Sequence, residues 1–200
     1  MLDENALSPA PILWARSFAV RDGSFNAVAY IQNSNEGAGV KRVSYRFALY
    51  DTDNVLVAER EGSTFIMPGQ ITPVFESGIQ TGNRPAVRTY FIFRESPVWQ
   101  RMQDRSRIVV VNDKKISETT TQPRLTATVT NSSVKDMVEV LLIATVFDQA
   151  GNAFATSQTK IPKLRAGEKQ DITFTWPDPF TVTVGRIDII PLVEPGSPTL

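Results

Sequence analysis

One stretch of the chain occurs twice, and this repeat limits the possible folds more than any other feature. The copies are residues 43–70 (VSYRFALYDTDNVLVAEREGSTFIMPGQ) and 140–168 (VLLIATVFDQAGNAFATSQTKIPKLRAGE). Four landmark pairs, at offsets of 98, 97, 98 and 99, are Asn33 and Asn131, Tyr50 and Phe147, Gly69 and Gly167, and Phe75 and Phe174. A near-constant offset of this length predicts a duplicated domain, because solenoid repeats are shorter, about 20–50 residues.

The composition fits two globular domains and excludes several classes of function. A hydrophobic fraction of 42% over 200 residues is enough to form cores, which a disordered chain lacks. The 21 basic and 21 acidic residues give a net charge of zero and form no basic stripe, so we expect no nucleic-acid partner. Cysteine and histidine are absent, which excludes disulfides, thiolate nucleophiles, zinc fingers and imidazole bases.

Apolar and polar residues alternate in many short segments, which is typical of half-buried strands. Each half has about seven such segments with turn signals between them, and no segment keeps a helical period of about 3.6 residues. We therefore predict an all-β fold of two tandem immunoglobulin-like antiparallel β-sandwich domains. The predicted boundaries are a flexible tail at 1–11, domain 1 at 12–97, a linker at 98–106, domain 2 at 107–193 and a tail at 194–200.

The first residues bear on localisation. No apolar run approaches the roughly 18 residues of a transmembrane helix, and the acidic opening MLDENALSPAP lacks a signal-peptide core. This polar, proline-broken start fits either a cytoplasmic start or the remainder of a chain whose anchor or leader lies upstream. We expect the second.

The motif Phe47-Ala48-Leu49-Tyr50-Asp51 resembles the FxLYD-type bacterial immunoglobulin-like domain, and Ala144-Thr145-Val146-Phe147-Asp148 is a looser version of it. The flanking segments VAYIQNSN and LTATVTNSS fit the same pattern, and the resemblance covers nearly the full length. The chain is also similar to exported two-domain proteins of candidate-phylum bacteria. The resemblance implies an extracytoplasmic, often membrane-tethered module, and it supplies no catalytic residues.

Few residues are candidates for catalysis or metal binding. Ser132 and Lys135 have the spacing of a Ser–Lys dyad, but they lie in a loop, where solvated side chains are the simpler interpretation. Asp51, Asp53 and Asn54 resemble the start of a calcium loop without its glycine and distal glutamate, so capping of turns by Asp51 and Asp148 is the preferred alternative. Calcium at the domain junction would need a set such as Glu95, Asp104 and Asp113. We predict no catalytic residue, no metal site and no cofactor.

The junction carries a cluster of Trp99 with Arg101, Arg105 and Arg107. Guanidinium groups beside an indole indicate a site for an anion or a stacked ring. The alternative is an interface between the domains, with Trp99 buried in it and the arginines paired to acids.

The two copies differ on one equivalent surface. Their alignment places Ser44, Arg46 and Ala48 on the outward face in domain 1, and Leu141, Ile143 and Thr145 in domain 2. An exposed apolar sheet face usually marks a contact surface. Leu141 and Ile143 are therefore predicted to be covered, by a segment of this chain or by a second subunit.

Together these patterns favour a non-enzymatic module with a structural, adhesive or protein-interaction role at the cell envelope. Its partner would be another protein or a second copy, and it would meet the membrane only through an anchor outside this sequence. The alternative is a carbohydrate- or peptide-binding module that uses Trp14, Trp99 or the loop at 78–84 as a platform.

Overall fold

The computed structural model describes residues 7–103 and 106–195, which divide into two compact units with a boundary between Asp104 and Arg105. Both units consist of antiparallel strands arranged as two sheets around an apolar core. This confirms the prediction of an all-β fold with two tandem immunoglobulin-like sandwiches. The units are called domain 1 and domain 2 below.

Domain 1 contains six main strands and one short one. The sheet order is β1-β2-β5 on one side and β4-β3-β6 on the other, with β7 also paired to β3. This is the immunoglobulin arrangement, in which strands 1, 2 and 5 share one sheet and strands 3 and 6 share the other. The strands are β1 Ile12–Arg21, β2 Ser24–Gln32, β3 Ala38–Tyr50, β4 Leu56–Ile66, β5 Ile71–Gln80, β6 Arg88–Phe93 and β7 Gln100–Arg101.

Domain 2 has the same strand order. Its sheets are β12-β9-β8 and β11-β10-β13, so β8 to β13 correspond in order to β1 to β6. A short 3-10 helix, Ser106–Ile108, precedes them. The strands are β8 Val109–Ser117, β9 Arg124–Asn131, β10 Met137–Asp148, β11 Ala153–Leu164, β12 Lys169–Thr175 and β13 Val184–Leu192.

Among the described residues, domain 1 has seven strands, including the two-residue β7, and domain 2 has six, which is close to the predicted seven in each half, but one predicted division was wrong. Residues 55–59 and 65–67 had the pattern of two segments, but β4 runs unbroken through both. The polar residues between them misled the prediction because β4 is an edge strand, where side chains on both faces reach solvent.

The predicted inward faces of β3 and β10 form the two cores. Val43, Phe47 and Leu49 are fully buried in domain 1, and Val140, Leu142, Ala144 and Val146 are fully buried in domain 2. In domain 1, the aromatic rings of Tyr45, Phe47 and Phe91 pack against one another with centroids 4.9–5.8 Å apart. All three rings belong to sheet β4-β3-β6 and fill the core that an inter-sheet disulfide crosses in antibody domains.

A buried asparagine at the end of the second strand holds each domain together. Asn33 Nδ2 donates to the carbonyls of Ala38 and Met67, both at 2.8 Å. Asn131 Nδ2 donates in the same way to the carbonyls of Leu164 and two other residues, at 2.8–3.0 Å. Because the carbonyls belong to chain segments far apart in sequence, the asparagine fixes where the third strand starts and the fourth ends.

An aspartate closes the hairpin after the third strand in both copies. Asp51 Oδ1 accepts hydrogen bonds from the backbone N–H groups of Asp53 and Val55, at 3.0 and 2.9 Å. Asp148 Oδ1 accepts one from Asn152 N at 2.8 Å. The interpretation of both aspartates as turn caps is therefore confirmed.

The segment predicted as a linker is in part a strand of domain 1. Gln100 and Arg101 pair with Gly39 and Ala38 at the start of β3. Trp99 is half-buried and packs against the core of the same domain. Gly39 leaves room for the side chain of Met102, the residue after β7, because a Cβ at position 39 would lie 2.9 Å from Met102 Sδ as well as 2.5 Å from the carbonyl oxygen of Ile66.

Candidate functional site

The outward face of sheet β11-β10-β13 is not the open surface that the sequence suggested. Ile143 is only 1% exposed and Thr145 is fully buried, while Leu141 is half-buried. The interpretation of Ile143 as part of an accessible interaction surface is therefore wrong. Of the two predicted covers, this chain itself is the one that buries Ile143.

Neighbouring side chains on the same sheet account for part of this burial. Ile143 lies in register between Gln158 of β11 and Ile190 of β13. Phe147, four residues along β10, is covered by the guanidinium of Arg186, whose Cζ lies 4.0 Å from the ring centroid. Arg186 is held there by Asp188, with an Nε–Oδ1 distance of 3.1 Å.

The equivalent face of domain 1 is open. It carries a hollow of about 340 Å³ on sheet β4-β3-β6, and we call this hollow the aromatic hollow. Arg46 and Ala48 point outward here as predicted, since their register partners on β6, Ile92 and Tyr90, are exposed, and Ser44 lines the neighbouring hollow on the same face. The hollow is lined by Arg46, Ala48, Tyr50, Asn54, Tyr90 and Ile92.

The small side chain of Ala48 makes the floor of the aromatic hollow, and rings and apolar groups form its sides. Tyr50 and Tyr90 meet edge to face with centroids 5.5 Å apart. Tyr90 remains 55% exposed and Ile92 44% exposed. Arg46 is neutralised by Glu59, with a distance of 2.7 Å between Nη1 and Oε1. The hollow is therefore amphipathic, with exposed rings but little net charge.

A second, polar hollow of about 520 Å³ continues along the same face and is lined by Arg42, Ser44, Tyr45, Glu61, Gly62, Ser63, Arg94 and Glu95. Its charges are largely satisfied internally. Arg94 pairs with Glu61, and Glu95 accepts a hydrogen bond from the backbone N–H of Ser44 at 2.8 Å. That N–H group lowers the pKa of the Glu95 carboxyl.

Below the polar hollow, a tyrosine crosses the sandwich. Tyr45 Oη donates to Glu76 Oε1 at 2.7 Å, and burial together with this bond raises the pKa of the Tyr45 hydroxyl. Gly62 leaves room for the ring, because a Cβ there would lie 2.5 Å from Tyr45 Oη. This pair has a structural role and is not an acid–base site, since its proton is held more tightly than in a free tyrosine.

The candidates for catalysis and calcium have structural partners instead. Ser132 and Lys135 are exposed in a loop, and Asn131 orders this loop by accepting hydrogen bonds from Ser133. Arg84 occupies the other oxygen of Asp51 at 2.5 Å and also pairs with Asp53 at 3.1 Å. Within residues 7–103 and 106–195, no group of three or more acidic side chains is placed to hold a metal ion.

The junction residues do not form one described site. Arg101 is exposed on β7, while Arg105 and Asp104 lie outside the described residues. Trp99 packs against the core of domain 1 and Trp14 stacks on Tyr30 at a centroid distance of 4.4 Å, so neither indole is a free platform. No helix in the described part of the chain is long and apolar enough to cross a membrane.

Sequence reasoning missed Tyr90 and Ile92, because residues 87–93 (VRTYFIF) were interpreted only as a strong β run that closes domain 1. The sequence signal that could have revealed them is the alternation of inward and outward positions along the strand. Phe91 is 5% exposed and lies between two residues that are about half exposed. In a strand, two exposed apolar residues on either side of a buried ring indicate an outward apolar face.

Comparisons with known proteins leave the family open. No family model matches the sequence, and no curated protein matches it. Among solved structures, the chain is similar to red sea bream transglutaminase at 9% identity and a TM-score of 0.32, over 94% of this chain and 32% of that protein. The chain thus spans about a third of that structure, and a likeness this weak carries no argument about function.

Proposed function

We propose that this protein is a non-enzymatic immunoglobulin-like module that binds another protein through domain 1. The observation that carries the proposal is the aromatic hollow on the outward face of β4-β3-β6. Tyr90 and Ile92 are 55% and 44% exposed there, beside the exposed Leu56 of β4. Rings and aliphatic side chains that stay in water without a cover are typical of binding surfaces.

The same face has the composition of a recognition surface. Its ion pairs, Arg46–Glu59 and Arg94–Glu61, border the apolar groups of the aromatic hollow. Protein interfaces commonly combine an apolar and aromatic centre with a polar rim. The polar side chains here neutralise one another, so the apolar centre supplies most of the affinity.

A location outside the cytoplasm, at the cell envelope, belongs to this proposal through the resemblance to FxLYD-type domains. An antibody against the chain should detect it in the envelope fraction of the source cells. Protease added to intact cells or to spheroplasts should remove it. Recovery in the cytoplasmic fraction alone would refute the location and leave the binding proposal standing.

The binding proposal is tested by panning a phage library of linear 12-residue random peptides on the wild-type protein. The counter-selection uses the double variant Tyr90→Lys with Ile92→Lys, whose changes lie at exposed positions and leave the core intact. We expect the wild type to enrich peptides that the variant does not bind. The matched control is Val110→Lys in domain 2, which is 38% exposed and lies off this face. Equal binding by the wild type and the double variant would exclude the aromatic hollow.

Carbohydrate binding is the second candidate, and the edge-to-face arrangement of Tyr50 and Tyr90 favours it. One face of an exposed tyrosine stacks on a sugar ring, while Asn54 in the same hollow offers an amide for hydroxyl groups. A glycan array probed with the wild type and with Tyr90→Ala separates the two functions. Glycan binding that is lost in the variant would replace the protein partner by a sugar.

A further inference from the structure

Arg88 lies on the outward face of β6, beside the aromatic hollow. It is in register with Tyr50, which lines the hollow, and it lies two residues before Tyr90 on the same face of the strand. Arg88 is exposed and has no ion-pair partner among the described residues. A cation without a counterion therefore borders the apolar surface that carries the proposed function.

Neighbouring acids on this side of domain 1 are already paired with other arginines. The pairs are Arg46 with Glu59, Arg94 with Glu61, and Arg84 with Asp51 and Asp53. Glu95 accepts a hydrogen bond from the backbone of Ser44, six residues along β3 from Tyr50. The carboxylates around the hollow are thus engaged elsewhere, and a counterion for Arg88 has to come from outside this sheet face.

Domain 2 contains the same arrangement with its counterion present. Arg186 is in register with Phe147 of β10 and is the counterpart of Arg88. Its Cζ lies 4.0 Å from the centroid of the Phe147 ring, and Asp188 pairs with it at an Nε–Oδ1 distance of 3.1 Å. An arginine at this place is therefore satisfied by a carboxylate that lies on the same face, next to the aromatic ring.

Domain 1 has a ring where domain 2 has this carboxylate. By register Tyr90 stands at the position of Asp188, and its ring meets Tyr50 edge to face with centroids 5.5 Å apart. Ala48 stands at the position of Thr145, so the floor of the hollow carries the smaller side chain. The same two differences leave the arginine without a counterion and open the hollow next to it.

We propose that the aromatic hollow and Arg88 together bind an acidic segment of a partner protein. This inference rests on the proposed function and names the chemistry of its partner. An apolar side chain of the segment covers the exposed rings, and a carboxylate forms charge-assisted hydrogen bonds with the guanidinium. The apolar contact supplies most of the affinity, while the ion pair sets the orientation and the choice of partner.

The spacing on β6 defines the spacing in the segment. Arg88 and Tyr90 are two residues apart on one face of the strand, which is about 7 Å. Side chains at positions i and i+2 of an extended segment are separated by the same distance. We therefore expect an apolar residue and an acidic residue with one residue between them, in a segment that lies across the sheet face.

A second copy of this chain fits the site less well. In a symmetric dimer each copy presents the same patch to the other. The patch carries Arg88, but its glutamates, Glu59 and Glu61, are paired with arginines of the same sheet. Self-association would bring two Arg88 side chains to one interface without a carboxylate for either. The proposed occupant is therefore a different chain.

The test starts from the peptides that panning of the 12-residue library enriches on the wild-type protein. We expect them to share an acidic residue two positions from an apolar one. An enriched peptide is then titrated against Arg88→Gln and against the matched control Arg186→Gln, whose charge is already paired in domain 2. Arg88→Gln should weaken binding about fivefold to tenfold, because charge-assisted hydrogen bonds are lost, and Arg186→Gln should leave it unchanged.

Replacing the acidic residue of the peptide by its amide tests the same contact without changing the protein. The amide peptide should bind the wild type as weakly as the acidic peptide binds Arg88→Gln. On Arg88→Gln the two peptides should bind equally, because their common partner is gone. Added NaCl should weaken the acidic peptide on the wild type and have a smaller effect on Arg88→Gln.

The outcomes separate this inference from the proposed function. If the enriched peptides depend on Tyr90 and Ile92 but carry no shared acid and bind Arg88→Gln normally, the acidic partner is refuted and the proposed function stands. If no peptide is enriched, both are overturned. An equal loss in Arg186→Gln would assign the effect to the overall charge and refute the role of Arg88. Self-association of the wild type that Arg88→Gln abolishes would refute the assignment to a different chain. Binding of acidic glycans alone would overturn the protein partner.

Discussion

The two domains share a framework and differ in what they expose. Both are held by a buried asparagine and an aspartate-capped hairpin at corresponding positions. Domain 2 covers the outward face of its β10 sheet, whereas domain 1 leaves the equivalent face of its β3 sheet open. A duplicated sandwich can therefore keep the contacts that position its strands while the exposed residues on its surface change.

The other pair of sheets shows the reverse difference. In domain 1 the outward face of β1-β2-β5 is apolar, with Val28 and Tyr30 buried and Trp14 stacked on Tyr30. In domain 2 the corresponding face presents Thr126, Thr128 and other polar residues of β9 and β12. Each domain thus buries the outward apolar side chains of one sheet, which is β1-β2-β5 in domain 1 and β11-β10-β13 in domain 2.

The largest expected effect tests the covered face of domain 2. Ile143→Asp places a carboxylate at a site that is 1% exposed, and we expect a loss of about 4 kcal/mol or more in the free energy of unfolding of domain 2. Trp176 is the single tryptophan of domain 2 and reports its urea unfolding by fluorescence. The control is Ile92→Asp in domain 1, which is 44% exposed and should change stability by less than about 0.5 kcal/mol. Similar losses in both variants would contradict the contrast between the faces.

The second largest loss of stability is expected when the asparagine that both domains share is replaced. Asn33→Ala leaves the carbonyls of Ala38 and Met67 without their donor in a buried position, which should destabilise domain 1 by about 3 kcal/mol. Asn33→Asp keeps the shape but replaces the amide donor, so it should not rescue the loss. Urea unfolding followed by Trp14 and Trp99 measures the effect, with Trp176 as the control for domain 2. An unchanged urea midpoint for domain 1 would show that the hydrogen bonds of Asn33 do not stabilise the start of β3 and the end of β4.

Replacing the two hairpin aspartates by alanine should lower the stability of their domains by different amounts. Asp51 is 3% exposed, accepts two backbone hydrogen bonds and pairs with Arg84, so Asp51→Ala should lose about 2 kcal/mol. Asp148 is half-buried and accepts hydrogen bonds from the backbone and the side chain of Asn152, and because its carboxylate is already partly solvated, Asp148→Ala should lose about 1 kcal/mol. Urea midpoints of the two domains give both values. A larger loss for Asp148→Ala would reverse the expected order.

The smallest effect is a pH dependence confined to domain 1. The pKa of Tyr45 is raised in the folded state, so its contribution to stability is present below the ordinary tyrosine pKa of 10.0 and is lost as the pH rises above it. Tyr45→Phe should flatten the fall of the domain 1 urea midpoint between about pH 9 and 11. All four tyrosines lie in domain 1, so domain 2 is the internal control. Parallel curves for the wild type and Tyr45→Phe would refute the linkage.

One repeat landmark predicted from the sequence proved to be out of register. Phe174 is 2% exposed and belongs to the core of domain 2, whereas Phe75 is only half-buried, and its neighbour Val74 fills the core of domain 1. Phe174 pairs with Leu125, and the equivalent residue Ala27 pairs with Glu76, so the structural counterpart of Phe174 is Glu76 and that of Val74 is Ile172. Matching the two phenylalanines at an offset of 99 therefore placed them one residue out of register, on opposite faces of their strands.

What the sequence determined by itself is the local and repeated part of the protein. Alternation in β3 and β10 predicted their inward faces, the repeat predicted two domains, and Asp51 and Asp148 were identified as turn caps. These features depend on neighbours within a few residues, and the period of a strand records them directly.

Only the tertiary structure decided which outward sheet faces are covered and which are open. Ile143 and Tyr90 both look like outward positions in sequence, yet one is 1% and the other 55% exposed. Lys114, whose Nζ donates to the carbonyl of Ile187, lies 73 residues from it in sequence. Exposure of a sheet face depends on side chains that distant strands bring together, so the alternation within one strand does not contain it.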